Sequence, residues 1–77
     1  MDIGKSLQEH RERRGLSQSE LAKQTGLKQQ TISRWEANIT APKITECITL
    51  ALFYHISVDY LIGLENEDGT KIFDTHA

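Results

Sequence analysis

Residues that stop helices recur along this chain at intervals too short for any long helix, and this punctuation limits the fold more than any other feature. Gly15, Gly26, Asn38, Pro42 and Gly63 divide the sequence, and between them apolar residues repeat with helical spacing. The first predicted helix runs from about Ile3 to Arg14, with Ile3, Leu7 and the Arg11 stem on one face and Gly15 as its left-handed stop. The second starts at once: Ser17 with Glu20 is a capping-box pair, Leu21 and Ala22 face inward, and Gly26 closes it after about eight residues. The third covers about Lys28 to Ala37, with Ile32 and Trp35 on its inner face and Asn38 as a stop that tolerates the left-handed conformation. Pro42 suits the first turn of a fourth helix reaching about Tyr54, whose expected core stripe is Ile44, Cys47, Ile48 and Ala51. Ser57 caps a short fifth helix, Asp59 complements its positive end, and Gly63 ends it. The expectation is an all-α, five-helix domain over residues 1–64, followed by an acidic, flexible tail over 65–77 in which Thr70 to Phe73 is a weak candidate for an edge strand.

With 77 residues the chain makes one domain at most, and a domain of that size buries only about 60% of its unfolded surface. The single cysteine, Cys47, excludes a disulfide framework and has no ligand pattern around it. Nothing near the first residues reads as a signal peptide, and the longest apolar stretch, Leu50 to Tyr54, is far too short to cross a membrane. The natural expectation is a cytoplasmic protein without metal, cofactor or small-molecule ligand. Net charge is −2, but it is unevenly spread. Residues 1–43 carry eight basic and five acidic side chains, a net +3, whereas 44–77 carry one basic and six acidic, a net −5. A basic half can turn a positive face to phosphates, although chance asymmetry in a small protein looks the same.

The segment Gln18 to Ala37 is the informative one. Two short helices joined by a tight turn fit a helix-turn-helix. Its first helix is short, and Ala22 is small where the second must cross. Gly26 is free to take the turn conformation, and Ile32 and Trp35 anchor the second helix with Leu21 and Leu27 completing a miniature core. That leaves Lys28, Gln29, Gln30, Ser33 and Arg34 outward. Gln can bond bidentately to adenine in the major groove, and Arg to guanine. A run of Lys and Gln is also what an ordinary solvated helix face contains.

On the stretches GLSQSELAKQTGLKQQTISRWE and ISVDYLIG, the chain from Ile3 to Leu61 resembles the Cro/C1-type helix-turn-helix domains of phage repressors and bacterial regulators. The resemblance implies a five-helix, lambda-repressor-like domain whose second and third helices bind double-stranded DNA. By that likeness Gln29, Gln30, Ser33 and Arg34 touch bases or adjacent phosphates, Gln18 and Lys28 approach the DNA backbone, and Asn38 and Lys43 flank a loop near the other side of the groove. It also pairs Arg11 with Glu36 as a structural ion pair and places Trp35 in the core. Several positions depart from the family's habits: His10 and Thr25 replace aliphatic residues, Lys28 a Ser or Thr cap, Asn38 a frequent Gly, Ile39 and Thr40 basic residues, and His55 a Gly.

Leu52, Phe53, Tyr60, Ile62 and Leu64, with Tyr54 and Ile56, make the C-terminal half unusually apolar. This predicts a homodimer through the fifth helix and the end of the fourth, which would read two half-sites of a near-palindromic operator about 34 Å apart. A transcriptional repressor that blocks a promoter by occupying it is the expected function, since no sensor or recruitment segment is visible. A protein-binding adaptor on the same fold is the alternative. Catalysis has no support: His10, His55 and His76 lie far apart, and Cys47 has no activating base nearby.

Overall fold

A computed structural model describes residues 2–66 and residue 70. Among them are five helices: α1 (Ile3–Arg13), α2 (Gln18–Thr25), α3 (Gln29–Glu36), α4 (Ile44–Tyr54) and α5 (Val58–Ile62). Several boundaries have a local chemical cause. Asp2 Oδ1 accepts the Lys5 N–H at 2.9 Å to cap α1. Ser17 and Glu20 form the reciprocal capping box of α2, each side chain accepting the other's backbone N–H at 3.0 Å. Ser57 Oγ accepts the Tyr60 N–H at 3.0 Å to start α5. Gly26 ends α2 at φ 79°, a conformation that an L side chain resists. Asn38 and His55 take φ 58° without being glycine.

Nine side chains make the buried core: Leu7 from α1, Leu21 from α2, Ile32 and Trp35 from α3, Cys47, Leu50, Ala51 and Tyr54 from α4, and Leu61 from α5. Ala22 and Leu27 pack against it, half-buried. Helix α1 lies against α3 on one side and α5 on the other, while α2 packs on α3. The helix-turn-helix pair is thus backed by α1 against α3 and by α4 against α2.

Two expectations need correction. The core stripe of α4 is Cys47, Leu50, Ala51 and Tyr54, not one that includes Ile44 and Ile48, which are exposed. Apolar residues fall on more than one face of this helix, so composition gives no sharp phase, and the inward face is rotated from the expected one, keeping Cys47 and Ala51 and adding Leu50 and Tyr54. Pro42 lies outside α4: the cap is Lys43, whose N–H is accepted by Glu46 Oε1 at 2.8 Å. Thr25, in an aliphatic position, returns its hydroxyl to the Leu21 carbonyl at 2.7 Å. Of the expected tail, residues 67–69 and 71–77 lie outside the described residues, and with them most of the candidate edge strand.

Candidate nucleic-acid interface

With Ile32 and Trp35 buried on one face of α3, Gln29, Gln30, Ser33 and Arg34 are exposed together on another, and Lys28 is exposed just before the first turn. The spacing of 29, 30, 33 and 34 gathers them on one side of the helix.

What holds this face in place is a shared carboxylate. Glu36, at the last residue of α3, accepts from Arg11 Nε at Oε2 and from Arg11 Nη2 at Oε1, both at 2.8 Å. The pair is nearly excluded from water, with side chains 10% and 5% exposed. Arg11 also donates through Nη1 to the Leu16 carbonyl at 2.7 Å, and Gln18 Nε2 donates to Glu36 Oε1 at 3.0 Å. The carboxylate therefore ties α1 and the first residue of α2 to the end of α3, and the same guanidinium holds the α1–α2 turn. A planar guanidinium suits this role because it bonds both oxygens at once.

A second brace was not visible in the sequence. Asn38 Oδ1 accepts the Gly4 N–H at 3.0 Å, and its Nδ2 donates to Asp2 Oδ1 at 2.8 Å. A Cβ on Gly4 would come within 2.5 Å of the Trp35 carbonyl oxygen and 2.7 Å of the Glu36 carbonyl oxygen. Gly4 is there because the start of α1 meets the backbone at the end of α3. The bonds from Asn38 and from the Lys5 N–H hold the Asp2 carboxyl below the ordinary carboxylate range. The available signal was a glycine inside a helix, which costs about 1 kcal/mol against alanine and calls for a packing reason.

The residues expected at DNA phosphates fall into two groups. Lys28 and Lys43 are exposed on either side of α3 and its following loop. Gln18 and Asn38 carry the structural bonds just described, which occupy part of the hydrogen-bonding capacity expected to serve a phosphate. The residues of the expected dimer patch differ in exposure, from exposed Leu52 to half-buried Phe53, Tyr60, Ile62 and Leu64. Phe53 and Ile62 pack against the core. The Tyr60 ring meets His10 edge-on at 4.6 Å, and its hydroxyl accepts from Arg13 at 2.7 Å.

Elsewhere the chemistry is quiet. Burial pushes the Cys47 thiol up, away from the reactive thiolate. Among the described residues no group of three His, Cys, Asp or Glu could hold a metal, and no helix is long and apolar enough to cross a membrane. A cleft beside Ile3, Trp35 and Ile39 and another beside Ser6, His10 and Tyr60 each measure about 190 Å³, below the roughly 300–1,000 Å³ of small-molecule pockets.

The helix-turn-helix family profile matches residues 7–61. The HTH-type transcriptional regulator ImmR of Bacillus subtilis is 32% identical over 63 residues, covering 82% of this chain and 50% of its own length. YobD of the same organism, described as an uncharacterized HTH-type transcriptional regulator, is 29% identical over 66 residues, covering 86% of this chain and 59% of its own. The chain thus spans little more than half the length of these relatives. Among solved structures, the biofilm master regulator SinR in complex with DNA superposes with a TM-score of 0.71 at 30% identity, over 77% of this chain and 95% of that one. A Listeria innocua transcriptional regulator superposes with a TM-score of 0.72 at 26% identity, over 84% and 61%.

Proposed function

The chain belongs to the helix-turn-helix family, of the Cro/C1 type, and from that premise we propose that residues 1–64 are a sequence-specific reader of double-stranded DNA that regulates transcription in the cytoplasm. The observation that carries the reading is α3 itself: Gln29, Gln30, Ser33 and Arg34 stand outward on a helix pinned from behind by Ile32 and Trp35 and fixed at its end by Glu36. In the major groove the two glutamines present amide pairs that match adenine N6 and N7, and Arg34 matches guanine O6 and N7. Ser33 can bond to either. Lys28 and Lys43 neutralise phosphates and set the register, with Gln18 and Asn38 beside them. The SinR relative is a regulator seen in complex with DNA, which supports DNA binding here. The chain acts as a repressor by occupying a near-palindromic operator as two copies, excluding other proteins from it. It carries out no catalysis in this role.

Selection of bound sequences from random duplexes tests the proposal, repeated with Gln29→Ala and Gln30→Ala. The expected result is adenine-containing half-sites, with preference relaxing at one position per variant at about 1–3 kcal/mol each. Selection that returns no preferred sequence, or variants with unaltered preferences, would overturn it.

A further inference from the structure

Asp2 is out of place in a chain that reads DNA. Its residue is exposed at the start of α1, against the turn that leaves α3, and a negative charge there repels phosphates. Yet it is tied to that turn. Asp2 Oδ1 accepts the Lys5 N–H at 2.9 Å and, from 36 positions along the chain, Asn38 Nδ2 at 2.8 Å. Capping α1 needs only the first of these bonds. The second fixes the Asn38 amide, because Asn38 Oδ1 already accepts the Gly4 N–H at 3.0 Å and both ends of the group are then held. Packing gives this turn little other support. A cleft of about 190 Å³ is lined by Ile3, Trp35 and residues 38–41, and Ile39 is 68% exposed. One Nδ2 proton of Asn38 goes to Asp2, and the other has no acceptor among the described residues.

We propose that Asp2 is a positioning residue for DNA binding: it orients the Asn38 amide so that the remaining N–H is presented to a DNA phosphate. This role rests on the DNA-binding reading above. A side chain already held in its bound geometry surrenders little freedom on binding, and affinity rises accordingly. The repulsion from an exposed carboxylate is screened by salt within about 8 Å, so the orienting effect outweighs it. The sign of one substitution therefore carries the idea. Deleting an acidic charge ordinarily tightens the hold on phosphates, whereas deleting Asp2 should loosen it.

The test uses the full chain and the duplex enriched by selection, well below the thermal midpoint of every variant. Asp2→Ala should bind about fivefold more weakly, the affinity lost when one more side chain must be ordered on binding, with base preferences unchanged. Asp2→Asn keeps an oxygen for both N–H groups and still caps α1, so it should stay within about twofold of wild type. Asn38→Gly suits the left-handed backbone but lacks the amide, and it should lose about tenfold, the worth of one hydrogen bond to a charged group. In the Asn38→Gly background, Asp2→Ala should cost nothing or tighten binding, since no amide is left to orient. A cap that serves only the fold would weaken both backgrounds alike. Asp2→Ala that binds as well as wild type overturns the proposal, as does a loss that persists without the Asn38 amide or that Asp2→Asn fails to restore. Should wild type itself bind no duplex, the DNA reading fails first and this role falls with it.

Discussion

Tyr54 is the residue whose surroundings fit its side chain least well. The ring is buried in the core with the Arg14 guanidinium 4.2 Å from its centroid, yet its hydroxyl is buried without a hydrogen-bond partner. A phenol stripped of water and given nothing in return costs about 1–3 kcal/mol, whereas the face of the ring still attracts Arg14 without it. Tyr54→Phe is therefore expected to keep the fold and raise stability by up to about 1 kcal/mol, a rise of roughly 4–8 °C in thermal midpoint for a domain of this size. A fall in midpoint would show that the hydroxyl has a partner in solution. His10 is better provided for. The Tyr60 carbonyl lies 3.0 Å from its Nε2 and can only accept, so that nitrogen carries the proton, leaving Nδ1 to accept from Arg14 Nη1 at 3.4 Å. A histidine in place of an aliphatic residue is accommodated here because both ring nitrogens are answered.

At the scale of elements, the placement of α3 depends on bonds that reach it from α1 and α2. Glu36 receives three bonds from Arg11 and Gln18. Replacing it with alanine strands a buried guanidinium, and Glu36→Ala is expected to lose about 3–5 kcal/mol of stability, read in denaturant unfolding. A loss under 1 kcal/mol would mean that water replaces the carboxylate freely. At the end of α4, His55 occupies the left-handed region at φ 58° and ψ 45°. Left-handed backbone costs an L residue about 1–2 kcal/mol, so His55→Gly should stabilise by about 1 kcal/mol in the same assay. Most helix starts and stops were legible in the sequence because they are local: Gly26, the Ser17–Glu20 box and Ser57 act within four residues of themselves. The phase of α4 was not. Ile44 and Ile48 were expected inside because apolar residues lie on several faces of α4 and leave its phase open. Asn38 was read as a helix stop and a phosphate contact, while its bond to Gly4 spans 34 positions and is written in no local pattern.

For the whole molecule, the closure of α5 onto α1 decides how stability responds to acid. His10, only 3% exposed, bonds the Tyr60 carbonyl, Ser6 Oγ donates to the Leu61 carbonyl at 2.8 Å, and Arg13 reaches the Tyr60 hydroxyl. Burial holds His10 below the ordinary histidine value of about 6.5; Arg14 and Arg13 push the same way, against the Tyr60 carbonyl and Glu9, while the Tyr54 ring stacks alongside. The folded chain thus takes up a proton less readily than the unfolded one. The stability tied to neutral His10 is complete above about pH 6.5, declines as pH falls below it, and stops declining once the folded protein also protonates. Unfolding free energy should therefore drop between pH 7.5 and 5.5, with His10→Gln flattening that slope; an unchanged slope would remove His10 from the account. The architecture was readable at this scale because size, punctuation and the α2–α3 pattern leave few ways to bury Leu21, Ile32 and Trp35 together. The small-residue turn and outward Gln and Arg residues made the candidate site readable too, whereas its supports, Asp2 and Gly4, show only once distant segments meet.

Helix α3 is clamped unevenly. Glu36 and Asn38 bolt its rear to α1, but Lys28 begins it with no side-chain bond to its first turn. A beam fixed at one end yields at the other, and here the yielding end carries Gln29 and Gln30. The fastened end thus sets where the helix points, and in the DNA-reading role proposed above the uncapped first turn is the part left to adjust to base edges.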